Sequence, residues 1–139
     1  MLTVHDGASV DLADLAGVRH AIVLLPGAFT PVCTRELPAI DALWRRAGEA
    51  DAPVLAVACD APPVLAAWRD AEGVALPLLS DFWPHGALAQ ALDAFDATTG
   101  RCRRTSVVID ESGAVAWRDD AEAGRERDMD ELARALLDL

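Results

Sequence analysis

Cys33 stands in the run Leu25-Pro26-Gly27-Ala28-Phe29-Thr30-Pro31-Val32-Cys33-Thr34-Arg35-Glu36-Leu37, which sets a thiol in the first turn of a helix that follows an apolar strand. The unpaired N–H groups and the positive dipole end of a helix N-terminus favour an anion. Such a position, helped by nearby cations, brings a thiol from about 8.5 into the range of roughly 3.5 to 7.5, and the thiolate is the nucleophilic form. Thr30 stands three residues earlier, where its hydroxyl can reach the sulfur or a bound oxygen. Pro26 stiffens the loop and offers an apolar wall. A wall together with donors is what breaking an O–O bond requires, because two oxygens must be oriented and the leaving one stabilised as charge develops. A lone cysteine would be read as core packing, since free cysteine is among the most buried residue types. The pattern around Cys33 argues for chemistry.

Positioning that thiol falls to the elements around it. Leu2 to Val10 reads as a hairpin turning at Asp6-Gly7, and Val10 to Gly17 as a connection. Ala21-Ile22-Val23-Leu24-Leu25 suits a strand buried on both faces, ended by Pro26 and Gly27. Leu37, Ile40, Leu43 and Trp44 recur on one helix face, giving a helix from Cys33 to Ala50. Val54 to Ala58 is a second buried strand, and Asp60 to Pro63 start a helix over Val64 to Glu72. A short strand at Leu76 to Leu79 leads through the loop Ser80 to Gly86 into a helix over Ala87 to Phe95. After a turn at Thr98-Thr99-Gly100 come a strand over Arg104 to Ile109, a turn at Asp110 to Gly113 and a partner strand over Ala114 to Trp117. Asp128 to Leu139 form an amphipathic helix with Met129, Leu132, Leu136 and Leu137 inward. Trp44, Trp68 and Trp117 are expected in the core or half-buried. The alternation of strands and helices gives the α/β class, a central mixed sheet covered by helices on both faces with one antiparallel hairpin near the end. That is a thioredoxin-like arrangement, expected as one domain over residues 1–139.

Composition narrows the partners. A net charge of −11 leaves nothing to neutralise a run of phosphates and disfavours anionic membranes, so neither a nucleic acid nor a membrane is expected. No apolar run approaches the roughly 20 residues of a bilayer span, and no signal peptide opens the chain, which sets the expectation of a cytoplasmic protein. Three cysteines without a Cys-x-x-Cys support neither a disulfide scaffold nor a zinc ribbon. The histidines His5, His20 and His85 are scattered. No haem, flavin, nucleotide or metal motif is present, so no cofactor is expected.

Pro26, Thr30 and Cys33 form a Pro-x-x-x-Thr-x-x-Cys motif that resembles the peroxiredoxin active site of the AhpC/TSA superfamily. The family also carries an Arg-x-x-φ-φ-φ-Asp-x-x-Gly pattern, matched here by Arg104 to Gly113. The run Leu76 to Ala87 is similar to the one-cysteine alkyl hydroperoxidase E subgroup of bacterial peroxiredoxins. The resemblance extends from about Leu2 to Leu139. It departs at the front, where family members have a further segment containing Ala-Pro-Asp-Phe, so the chain is expected to start inside that region and to differ at the pocket rim.

The resemblance implies a thiol-dependent peroxidase. Cys33 thiolate attacks a hydroperoxide, while Thr30, Arg104 and backbone N–H groups near Val32 and Cys33 hold the oxygens. Glu36, one helical turn after Cys33, either orients Arg104 or faces solvent. The product is a Cys33 sulfenic acid, reduced by an external thiol, mycothiol or a small redoxin of the mycoredoxin type. Cys59 is expected as a packed or rim residue. Cys102, two residues before Arg104, shares a sheet face with it if the strand reaches that far, which would aim it at the Cys33 pocket as a resolving thiol. His85 reads as a structural loop group. Phe82-Trp83-Pro84 reads as a homodimer contact by the same resemblance. A peroxide sensor on the same fold, without efficient turnover, is the alternative.

Overall fold

The computed structural model describes residues 1–122 and 124–137. A seven-stranded mixed sheet organises them. Its strands in chain order are β1 (Leu2–Val4), β2 (Ser9–Val10), β3 (His20–Leu25), β4 (Val54–Ala58), β5 (Leu78–Ser80), β8 (Thr105–Ile109) and β9 (Val115–Asp120), arranged β2-β1-β5-β4-β3-β8-β9. β3, β4 and β5 run parallel, and β1, β2, β8 and β9 add antiparallel pairs at the two sides. A separate ribbon pairs β6 (Phe95–Asp96) with β7 (Arg101–Cys102). The helices are α1 (Pro31–Glu49), α2 (Pro62–Glu72), α3 (Ala87–Ala91) and α4 (Met129–Leu137). This is the mixed α/β sheet with a closing hairpin that the sequence pattern predicts.

The period-2 alternation of β3 and β4 divides the core in two. Ala21, Val23 and Leu25 of β3 and Val54, Ala56 and Ala58 of β4 pack on one face with Leu37, Ile40, Trp68, Leu132 and Leu136, which come from α1, α2 and α4. Ile22, Leu24 and Val57 face the other side, with Ala89 of α3, Cys102 of the ribbon and Leu2 and Val4 of the hairpin. Both faces of β3 are apolar because both are covered. Trp68 is fully buried, whereas Trp44 and Trp117 are half-buried. None of the described helices is long and apolar enough to cross a membrane.

Several boundaries differ from the periodicity. α1 and α2 begin at Pro31 and Pro62, two residues earlier than expected, because proline at the first helical position gives up no needed N–H. The helix expected over Ala87 to Phe95 stops at Ala91. Asp93 turns left-handed at φ +53° and redirects the chain, so Phe95 enters β6 instead. Its ring packs against Gly86, where a Cβ would meet it at 2.4 Å; with φ +69° as well, only glycine fits there. The strand expected from Arg104 begins at Thr105, and β9 continues past Trp117 to Asp120. Asp138 and Leu139, the end of the expected last helix, lie outside the described residues.

Candidate active site

The end of β3 delivers the site. Its last residue, Leu25, is followed by Pro26 and a loop that enters α1 with Thr30 at the N-cap and Pro31 inside the first turn. Cys33 is therefore the third residue of α1, and its sulfur is fully enclosed. The loop is tied down by Asp60, just beyond β4, whose carboxylate accepts the Ala28 N–H at 2.9 Å. Phe29 takes a left-handed φ of +64° in the same loop. Pro38 sits within α1. Having no N–H, it cannot supply the helical bond to the carbonyl of Thr34, the residue next to Cys33.

Arg104, in the bend that precedes β8, reaches across to the sulfur. Both terminal guanidinium nitrogens lie 3.5 Å from Cys33 Sγ. Nη1 also donates to Glu36 Oε1. Glu36 is buried, not solvent-facing. Its second oxygen, Oε2, accepts from the Arg127 backbone N–H at 2.7 Å and from Arg127 Nε at 3.1 Å. Arg127 donates further to Leu24 O at 2.7 Å and Ser106 Oγ at 2.9 Å. Desolvation holds the Arg127 guanidinium below the ordinary arginine value, with the Glu36 carboxylate opposing. Two guanidinium groups and one carboxylate thus stand behind Cys33, a formal +1 that an anionic sulfur would balance. Arg104 Nε is the one buried side-chain polar atom without a partner among the described residues.

A pocket of about 520 Å³ opens beside this cluster, lined by Pro26, Thr30, Pro31, Val32, Cys102 and Arg104 among others. Thr30 does not bond to the sulfur. Its hydroxyl donates to Gly27 O at 2.6 Å, which leaves its oxygen free to accept. Pro26, Thr30, Cys33, Glu36 and Arg104 are therefore brought together at one place. Arg127 and Asp60 are not legible in the sequence as partners. Arg127 lies in the charged stretch from Arg125 to Asp128, where nothing separates a buried arginine from exposed neighbours.

The remaining candidates are less direct. Cys102 lines the pocket, as its place before Arg104 predicts, but it packs in the core on the other face of the sheet from Cys33, because β7 ends at Cys102 and Arg103 and Arg104 are outside any strand. Its sulfur is 3.3 Å from that of Cys59. His85 is a loop group bridging Phe82 O and Gly100 O. Hydrogen bonding to Gly100 raises its pKa above the ordinary value. Phe82 and Trp83 are exposed, Trp83 to 82%.

Comparison with known proteins gives the family. The AhpC/TSA family profile matches residues 1–118. Alkyl hydroperoxide reductase E of Mycobacterium tuberculosis is 36% identical over 122 residues, covering 85% of this chain and 80% of that protein. Among solved structures, Enterococcus faecalis AhpC superposes with a TM-score of 0.88 at 25% identity, covering 99% of this chain and 86% of that one. The bacterioferritin comigratory protein of Xanthomonas campestris does so with a TM-score of 0.80 at 28% identity, covering 99% and 89%. The chain belongs to the AhpC/TSA family and is a peroxiredoxin, an enzyme that reduces hydroperoxides at the expense of thiols.

Proposed function

We propose that Cys33 is the thiol that attacks the hydroperoxide. The observation that carries this is the double approach of Arg104 to Cys33 Sγ, held from behind by Glu36 and Arg127. The thiolate attacks the terminal oxygen; an S–O bond forms, the O–O bond breaks, and the departing alkoxide takes a proton to leave as alcohol or water. Thr30 orients the substrate: its own hydrogen is committed to Gly27, so its oxygen accepts the hydroperoxide O–H. The free Nε–H of Arg104 is a donor for a bound oxygen, and its charge opposes the negative charge that develops on the leaving one. Pro26 supplies apolar wall.

The resulting Cys33 sulfenic acid is returned to the thiol by an external reductant, a low-molecular-weight thiol of the mycothiol class or a small redoxin. The engagement of the Cys102 sulfur with Cys59, not with Cys33, supports an external source. A homodimer built on Phe82 and Trp83 would cover the largest exposed aromatic surface. The three free thiols suit the reducing cytoplasm.

Stopped-flow tryptophan fluorescence of reduced protein with hydrogen peroxide and with an organic hydroperoxide tests the assignment. A fast, concentration-dependent change that is lost in Cys33→Ser supports it. An unoxidised Cys33 by mass spectrometry would remove it. Oxidation without turnover on any added thiol would leave the sensor reading in place of the enzyme.

A further inference from the structure

Cys59 and Cys102 have no part in the reaction described above, yet they meet. Cys59 directly follows β4 and Cys102 ends β7, 43 residues apart in the chain. Their sulfurs are 3.3 Å apart, and both residues are buried, at 5% and 2% exposure. They pack in the core on the opposite side of the sheet from Cys33. A disulfide bond of about 2.0 Å would require the sulfurs to close by roughly 1.3 Å.

The protonation of the pair suits that step. The hydrogen bond from Cys102 lowers the pKa of Cys59, against burial and the Asp81 carboxylate. The same hydrogen bond and burial push Cys102 up. The pair thus gives up one proton more readily than the second. One thiolate facing one thiol is the form in which a dithiol reacts.

A metal is the competing occupant, because Asp81 places a carboxylate oxygen within 4.8 Å of both sulfurs. Its two oxygens already accept the N–H groups of Leu88 at 3.0 Å and Ala89 at 2.9 Å. Two sulfurs and an engaged carboxylate fall short of the four ligands of a structural zinc site.

We propose that Cys59 and Cys102 are a second redox centre, a dithiol that closes to an intramolecular disulfide when hydroperoxide enters the pocket that Cys102 lines. This rests on the functional reading only for the oxidant. Cys102, the sulfur that lines the pocket, passes its proton to the Cys59 thiolate across their hydrogen bond and attacks a peroxide oxygen; an S–O bond forms, the O–O bond breaks and alcohol or water leaves. The Cys59 sulfur then attacks the sulfenic sulfur of Cys102; the S–S bond forms, the S–O bond breaks and water leaves. The two thiols lose two electrons and two protons, all of which end in the alcohol and water. The disulfide would join the neighbours of two supports of the Cys33 site: Cys59 precedes Asp60, the anchor of Ala28, and Cys102 stands two residues before Arg104.

The test uses the reduced Cys33→Ser chain, whose two remaining thiols are Cys59 and Cys102, so a failure of the Cys33 assignment cannot mimic a failure here. It is treated with a small excess of hydrogen peroxide, alkylated, and mapped with pepsin, because trypsin would cut on both sides of the Cys102-Arg103 pair. The expected result is loss of both free thiols, a mass lower by two hydrogens, one peptide linking Cys59 to Cys102, and recovery of both thiols with dithiothreitol. Adding Cys59→Ser must abolish the link. Two thiols still alkylatable after peroxide would overturn the proposal, as would one tightly held zinc per purified chain. In wild-type protein, a Cys33–Cys102 link in place of Cys59–Cys102 would overturn it as well.

Discussion

The two faces of the sheet hold thiols in opposite electrostatic company. On the face covered by α1, α2 and α4, Cys33 has the guanidinium of Arg104 against its sulfur and that of Arg127 behind, with Glu36 holding both. On the other face, Cys59 and Cys102 have each other, and the carboxylates around them are unfavourable: Asp81 acts against ionisation of both, and Asp60 against that of Cys102. A sulfur among cations is equipped to carry a full negative charge toward a substrate. Sulfurs beside carboxylates are opposed in ionising, and here the hydrogen bond between them favours ionisation of one at the expense of the other. The fold thus separates thiol chemistry by charge, using residues that differ little in burial.

The sharpest break of this comparison is Cys33→Ser, expected to lower the second-order rate with peroxide by on the order of 10⁴-fold or more, while Cys59→Ser leaves the rate of the reduced enzyme unchanged; single-turnover fluorescence reads both. Arg104→Met removes the cation but keeps bulk, and should cost about 10² to 10³ in that rate. An equal rate in this variant would mean that charge is not what distinguishes the faces. Glu36→Gln leaves two buried guanidinium groups without their anion. A loss of about 3–5 kcal/mol in denaturant unfolding is expected, together with a slower reaction. Thr30→Val removes one substrate hydrogen bond and should slow the reaction about tenfold, with Thr30→Ser restoring most of it.

The last effect, on stability and not on rate, lies away from both thiol sites. Burial acts to raise the Asp41 carboxyl, but N–H bonds from Leu76 and Ala75 and the Arg45 guanidinium outweigh it and hold the pKa below the ordinary value. A depressed folded pKa contributes stability that is full above about 3.9, the unfolded value, and is lost as pH falls through the folded one. Asp41→Asn should therefore cost about 1–3 kcal/mol at neutral pH and less in acid, flattening that limb of the stability profile.

Local pattern and motif spacing carry most of the fold and the centre of the site. The buried runs of β3 and β4 are continuous in sequence, and Pro26, Thr30 and Cys33 lie on one loop, so each is visible within a short window. Arg104 is far from them in sequence and is reached only through a family pattern. Arg127 is 91 residues from the Glu36 it supports and sits in a charged stretch that looks like surface. The ribbon of β6 and β7 escapes the pattern because Ala87 to Phe95 has helical spacing, and the left-handed turn at Asp93 carries no glycine to announce it. The Cys59–Cys102 meeting follows from that ribbon folding back over the sheet, which no local signal specifies.

The enclosed sulfur of Cys33 gives the proline inside α1 a kinetic meaning. A fully covered sulfur gains room for a hydroperoxide by local movements of the turn that carries it, and the free energy of such movements follows local stability. Pro38 leaves the turn carrying Cys33 joined to the rest of α1 by one bond fewer. A net hydrogen bond is worth about 1 kcal/mol, so this omission enlarges the open population roughly fivefold. Amide hydrogen exchange should find Thr34 and Arg35 trading protons well before Leu43, deeper in the same helix. The residue that weakens the helix thereby eases the movements by which the nucleophile meets its substrate.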